Sequence, residues 1–144
     1  MRGADAVTMA ELLVATDLRG VVSHGTWRLG GYVRMMLEDK VNPQPDIQVV
    51  SSRGAVRVYD GDGGMGHLPS NEAARFVATA AAEQGLAAAT TGNHYHFGAA
   101  GKYSRIAAAE GCIGIAVSSH RWQRQGMILD AANAGSPMSI AFPA

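Results

Sequence analysis

Two stretches carry side chains whose types and spacing could do chemistry. The first is Asp17-Leu18-Arg19-Gly20-Val21-Val22-Ser23-His24-Gly25-Thr26-Trp27-Arg28. Arg28 lies four residues beyond His24, one turn up the same face if that turn is helical. A guanidinium there could hold a carboxylate through two parallel hydrogen bonds, and an imidazole is the side chain suited to moving a proton near neutral pH. The same residues also read blandly, with Ser23 capping a helix, His24 a half-buried turn residue and Arg28 solvated. Spacing alone leaves both readings open.

The second stretch is Asn93-His94-Tyr95-His96-Phe97-Gly98-Ala99-Ala100-Gly101-Lys102-Tyr103. If residues 93–96 are extended, His94 and His96 point to one side, as two metal ligands would. A third ligand would have to come from distant His24 or His120, which would make a metal-dependent hydrolase. Gly98-Ala99-Ala100-Gly101 leads into a predicted helix, whose first turn exposes N–H groups that a phosphate or other polar ligand could approach closely. Close helix–sheet packing asks for the same small residues. The segment is not a Walker loop, because His96 stands where its first glycine belongs and Tyr103 follows Lys102.

A third stretch matches a pattern without its context. Gly61-Asp62-Gly63-Gly64-Met65-Gly66 satisfies GxGxxG after a predicted strand, but Pro69 follows, and the next helix is expected to start only at Ser70. A turn is the expectation. Asp60-x-Asp62 could open a calcium loop, yet Asn71 occupies the place of the bidentate glutamate.

The elements that must position these residues follow from periodicity. A helix over residues 4–17 would bury Val7, Ala10, Leu13 and Val14, and a second would bury Leu29, Val33, Met36 and Leu37, ending before Asn42-Pro43. Ile47–Val50 and Ala55–Tyr59 read as strands joined by a turn, Leu86–Thr90 and Cys112–Val117 as short buried strands, and Ala99–Glu110 as a small-residue helix stopped by Gly111. Another apolar strand is forming at Ile140–Ala144. Strand, helix, strand is a βαβ rhythm, so the fold class is α/β.

Bulk properties narrow the partners. With 144 residues, 12 basic against 12 acidic, the chain makes one domain or part of one and carries no field suited to nucleic acid or an anionic membrane. A small molecule is the expected partner. No apolar run approaches the ~18 residues of a membrane span, and the single cysteine, Cys112, reads as a packed thiol, which together suggest the cytoplasm. Both ends read as cut from something longer.

DLRGVVSHGTWRLGGYV, NHYHFGAAGKYSR and the terminal SPMSIAFPA together resemble the malate/L-lactate dehydrogenase family of the sulfolactate, ureidoglycolate and piperideine-carboxylate type. The similarity runs through essentially the whole chain. It implies a mixed sheet with flanking helices of the L-sulfolactate dehydrogenase kind, unrelated to the Rossmann lactate and malate dehydrogenases. It also implies a cofactor, NAD or NADP, a small 2-hydroxy or 2-oxo carboxylate as substrate, and a homodimer at full length. Residues 1–41 would form a helical substrate-side segment and residues 46–144 an α/β portion of the cofactor-binding region.

Carried over position by position, the resemblance makes His24 the acid–base residue for the substrate's C2 oxygen or imine nitrogen. Ser23 would assist it, Arg28 would hold the carboxylate, and Tyr32 would reach the same ligand. His96, Phe97, Gly98, Ala99 and Ala100 would contact the cofactor, and His96 is a second acid–base candidate. No metal is expected. Hydride transfer to a 2-oxo acid needs a carboxylate anchor, a proton source and a positioned nicotinamide, which these residues could supply in part. Members run to roughly twice this length, and Gly135-Ser136-Pro137-Met138 is a residue short of the family's usual GTNP or GNNP. An inactive or binding-only fragment is therefore the alternative for the isolated chain.

Overall fold

The structure is a computed structural model that describes residues 1–118 and 137–144. His120, weighed above as a third metal ligand, lies outside the described residues, as do Gly135 and Ser136.

The fold is mixed α/β, but the strands expected at 86–90 and 112–117 fall in separate sheets, and the parallel crossover forms instead around the helix that precedes them. Helix α1 spans Gly3–Asp17, two single 3₁₀ turns occupy Val22–His24 and Thr26–Arg28, and α2 follows directly over Leu29–Leu37. Strands β1 (Gln48–Arg53) and β2 (Val56–Asp60) form an antiparallel pair with a register shift between Val49 and Ser51. Helix α3 (His67–Gln84) then crosses over so that β3 (Ala88–Gly92) lies parallel to β2, from Val56 opposite Ala88 to Asp60 opposite Gly92. Helix α4 (Gly101–Ala109) leads to β4 (Gly114–Val117), which pairs antiparallel with β5 (Met138–Ala141) in a separate two-stranded sheet.

Several expectations are corrected in detail. Helix α3 starts at His67 rather than Ser70, with Pro69 inside its first turn. A proline is tolerated there because the first amides of a helix have no intrahelical acceptor. The buried stripe of α1 is Met9, Leu13 and Thr16, while Val7, Ala10 and Val14 are exposed. Thr16 can enter the core because its hydroxyl donates to the Leu12 carbonyl at 2.7 Å. On α2 the buried residue is Tyr32, and Leu29, Val33 and Leu37 face outward. Leu86, Ile113, Ile115 and Val117 are likewise exposed, so the short strands expected to be buried are not. Cys112 is half-buried in the turn after α4 rather than packed in a strand.

The core joins the two halves of the chain. Met9 and Leu13 from α1 and Tyr32 from α2 meet Val41, Met65 and Leu68. Against the sheet, the Arg57 guanidinium lies 3.9 Å from the Phe76 ring centroid, a cation–π contact that seats α3 on β2.

Candidate active site

Four rings meet where α2, α3 and the segment between β3 and α4 converge. The His24 and His96 ring centroids are 5.6 Å apart, Tyr32 and His96 5.9 Å, Tyr32 and His67 5.4 Å, and His67 and His96 6.3 Å. The Tyr32 hydroxyl and His96 Nδ1 share a 2.7 Å hydrogen bond. Two stretches far apart in sequence are thus brought to one place.

Each ring is held by a local device. His24 closes the 3₁₀ turn Val22–His24, and its Nδ1 lies 2.9 Å from the Ser23 hydroxyl. The next turn is tied to α1, because Asp17 Oδ2 accepts from the Thr26 amide at 2.9 Å and its hydroxyl at 2.6 Å. Those two bonds hold the Asp17 carboxyl below its ordinary range. Gly25 sits between, in a place where a Cβ would overlap the Asp17 carboxylate.

His96 is positioned by the glycine-rich loop. Backbone bonds run from Gly61 N to Gly92 O, Gly63 N to Asn93 O, Tyr95 N to Gly64 O and Gly66 N to His96 O, extending the β2–β3 pairing beyond both strands. Gly61 and Gly66 are needed for this approach: a Cβ on Gly61 would lie 2.8 Å from the His94 Cβ, and one on Gly66 would strike the Tyr95 carbonyl. Gly66 directly precedes α3, so the third glycine does stand at a helix start. Yet residues 64–70 are buried, and the close approach of a phosphate that the fingerprint requires is taken by residues 93–96. The match fails for that reason, and not because of Pro69. Asp60 and Asp62 are engaged too: Asp60 Oδ1 accepts from Asp62 N and Asn93 Nδ2, and Asp62 Oδ2 from Asn42 Nδ2 and Asp46 N.

Residues 93–96 do not form a strand, and Asn93 has a left-handed backbone (φ +50°). His94 Nε2 lies 2.8 Å from the Thr91 hydroxyl, whereas His96 Nδ1 bonds the Tyr32 hydroxyl. Among the described residues no group of three His, Cys, Asp or Glu side chains could hold a metal ion.

Arg28 and Trp27 are exposed on the turn leading into α2, and with Tyr32, Gly31, Arg34 and Met35 they border a small cavity of about 340 Å³. Partial burial, then the charges of Arg28 and Lys102, push the His24 imidazole toward its neutral form. Burial raises the Tyr32 hydroxyl, while Arg28 opposes by favouring the phenolate. Phe97 stacks on Tyr103 at 5.3 Å and accepts the Tyr103 hydroxyl at its carbonyl. Gly98 (φ +81°), Ala99 and Ala100 complete the turn into α4. A larger cavity, about 740 Å³, opens beside Ala99, Gly101, Lys102 and Arg105, with Arg19 across it.

Residues 1–144 match the malate/L-lactate dehydrogenase family. The chain belongs to that family. L-sulfolactate dehydrogenase from Methanocaldococcus jannaschii is 36% identical over 115 residues, covering 80% of this chain and 33% of the relative. Malate dehydrogenase from Pyrococcus horikoshii is 37% identical over 117 residues, covering 81% and 32%. The solved structure of that malate dehydrogenase superposes with a TM-score of 0.86 at 33% identity, covering 100% of this chain and 42% of its own. This member of the malate/L-lactate dehydrogenase family thus spans about a third of the length of the curated relatives it matches.

Within this family member the structure assembles His24, His96, Tyr32 and Ser23, with Arg28 on the adjoining turn, whereas Phe97 is taken up in stacking on Tyr103. Sequence reasoning passed over His67 and Lys102. His67 is fully buried, and burial, reinforced by Lys102, holds it neutral. The signal for both was present: each is a polar residue directly behind a glycine within a small-residue run.

Proposed function

We propose that the chain forms the substrate- and proton-handling part of an NAD(P)-dependent dehydrogenase of small 2-hydroxy acids. The observation that carries this reading is the 5.6 Å juxtaposition of His24 and His96, with the Tyr32 hydroxyl bonded to His96 and Arg28 beside Tyr32. The names of the relatives, malate, lactate and sulfolactate dehydrogenases, agree in substrate class.

The residues fit a nicotinamide cofactor. The Gly98–Gly101 turn offers small side chains at the start of α4, and the neighbouring cavity of about 740 Å³ is bordered by Arg19, Lys102 and Arg105, with no Asp or Glu side chain among its described lining residues. Residues 96–100 would hold the cofactor, which supplies the hydride acceptor for C2 when bound. Residues 1–41 would provide the substrate side and residues 46–144 part of the cofactor side.

In the oxidative direction Arg28 binds the carboxylate and fixes the acid's orientation. His24 Nε2 takes the hydroxyl proton as the C2 hydrogen leaves as hydride, so the carbonyl forms with atoms and charge balanced. In reduction the same nitrogen returns the proton. With Nδ1–H donating to the Ser23 hydroxyl, Nε2 is left able to accept the proton. His96, oriented by Tyr32, is the second candidate for this proton, and a cytoplasmic homodimer is the reading for the full-length protein.

A full-length version assayed with NADH and NADPH against 2-oxo acids should turn over. His24→Ala and His96→Ala should lower kcat by at least about 100-fold in one of the two. Undiminished turnover in both would remove the acid–base assignment. The second reading is an inactive or binding-only fragment; calorimetry of the 144-residue chain showing no NAD(P) binding, beside a folded far-UV spectrum, would favour it.

A further inference from the structure

Arg28 holds one carboxylate in the chemistry above, and a second guanidinium borders the same cavity without a role. Trp27, Gly31 and Arg34 recur at i, i+4 and i+7 along the turn that runs into α2, and Arg28, Tyr32 and Met35 follow at the same spacing one residue on. Together they border the cavity of about 340 Å³. Among these described lining residues two are arginines and none is Asp or Glu, and the Arg34 guanidinium makes no hydrogen bond or ion pair among the described residues. Glu38, one turn further along, is engaged by Lys40 at 2.5 Å. The cavity is less than half the size of the 740 Å³ space beside α4 and stands at the low end of ligand sites, roughly 300–1,000 Å³, which suits a small acid and not a dinucleotide.

Gly31 points to a ligand independently. A glycine inside a helix is less favourable than an alanine, and a Cβ built on Gly31 would meet nothing within 4 Å, so packing among the described residues does not call for it. Its bareness keeps the cavity open between the Trp27 indole, 70% exposed, and Arg34. Tyr32 joins this cavity to the ring cluster, because the side chain whose hydroxyl bonds His96 Nδ1 also borders it. We propose that Arg34 is a specificity-determining residue that receives a second anionic group, carboxylate or sulfonate, of a short 2-hydroxy acid whose first carboxylate is held by Arg28. The inference rests on the dehydrogenase reading. A guanidinium matches either anion through paired N–H donors, and two cations at one small cavity favour a dianion over a monoanion.

The test is a substrate panel on the full-length enzyme, with oxaloacetate and sulfopyruvate set against pyruvate. The ratio of kcat/KM for either dianion to that for pyruvate should fall about 10-fold in Arg34→Gln, through KM, and should largely return in Arg34→Lys, which keeps the charge. A wild-type enzyme that prefers pyruvate, or a ratio unmoved by Arg34→Gln, overturns the proposal. In Gly31→Leu the added side chain should raise KM for the dianions with the far-UV spectrum unchanged, and an unaltered KM overturns the use of this cavity. Should no 2-oxo acid turn over, the dehydrogenase reading fails, and calorimetry of the same protein with succinate against propionate decides the role of Arg34 without any chemistry. Succinate binding about 10-fold weaker in Arg34→Gln than in the wild type sustains the site, whereas equal or absent binding overturns it.

Discussion

Replacing Gly98 by alanine tests how tightly the loop is set against His67 and Lys102. At φ +81° a residue with a Cβ loses about 1–2 kcal/mol to steric conflict with its own backbone. The new methyl would also stand 2.7 Å from His67 Nε2 and 2.6 Å from Lys102 Nζ. The lysine end can swing, but the fully buried imidazole has no room, so crowding adds about 1–3 kcal/mol. The sum is about 2–5 kcal/mol, which for a chain of this size lowers Tm by about 4–20 °C. Thermal unfolding followed by far-UV circular dichroism would measure it. Gly101→Ala is the control three residues on: among the described residues its Cβ would meet only Ser139 Oγ, at 3.6 Å, and it lies in the first turn of α4. That variant should melt at or slightly above the wild-type temperature. A Gly98→Ala protein melting with the wild type would refute the packing described for this loop.

Tyr32→Phe removes a hydroxyl bonded to His96 Nδ1 and should cost about 0.5–1.5 kcal/mol in urea unfolding, with a displaced His96 imidazole resonance. Leu13→Ala, at 1% exposure, should cost about 2–5 kcal/mol, whereas Val14→Ala next to it, nearly half exposed, should stay within about 0.5 kcal/mol. Because His24 and His67 bind protons less readily folded than unfolded, stability should fall as pH drops below the ordinary histidine value of 6.5. Lys102 has the same sign higher up: the unfolded chain holds its proton up to 10.5 and the folded chain to about 8. Stability should therefore rise between those values, in a urea-midpoint series that Lys102→Met would flatten.

The order of elements was legible in the sequence because hydrophobic period and turn residues are local properties. The strand near Ala55–Tyr59 appears as β2 at Val56–Asp60, and the helix expected from Ser70 as α3. Which face each helix buries was not legible. Val7, Ala10 and Val14 have the right spacing, but a threonine that bonds its own backbone competes for the core, and only the partner surfaces decide between the two stripes. The site divides in the same way. His24, Arg28 and His96 stand out by residue type and by family resemblance. His67 and Lys102 do not, because an interior imidazole or ammonium is marked by its surroundings and not by its neighbours in sequence. Pro69 misplaced the start of α3 because its ring is excluded from helix interiors but not from a first turn.

The backbone ladder between Gly61–Gly66 and residues 92–96 makes His96 mechanically continuous with α3. A ligand that displaces the imidazole must either break those amide bonds or carry the head of an 18-residue helix with it. Occupancy of the cleft should thus be readable at a distance from it, as altered hydrogen exchange at the amides of Gly63, Gly66 and Tyr95, none of which need touch the ligand.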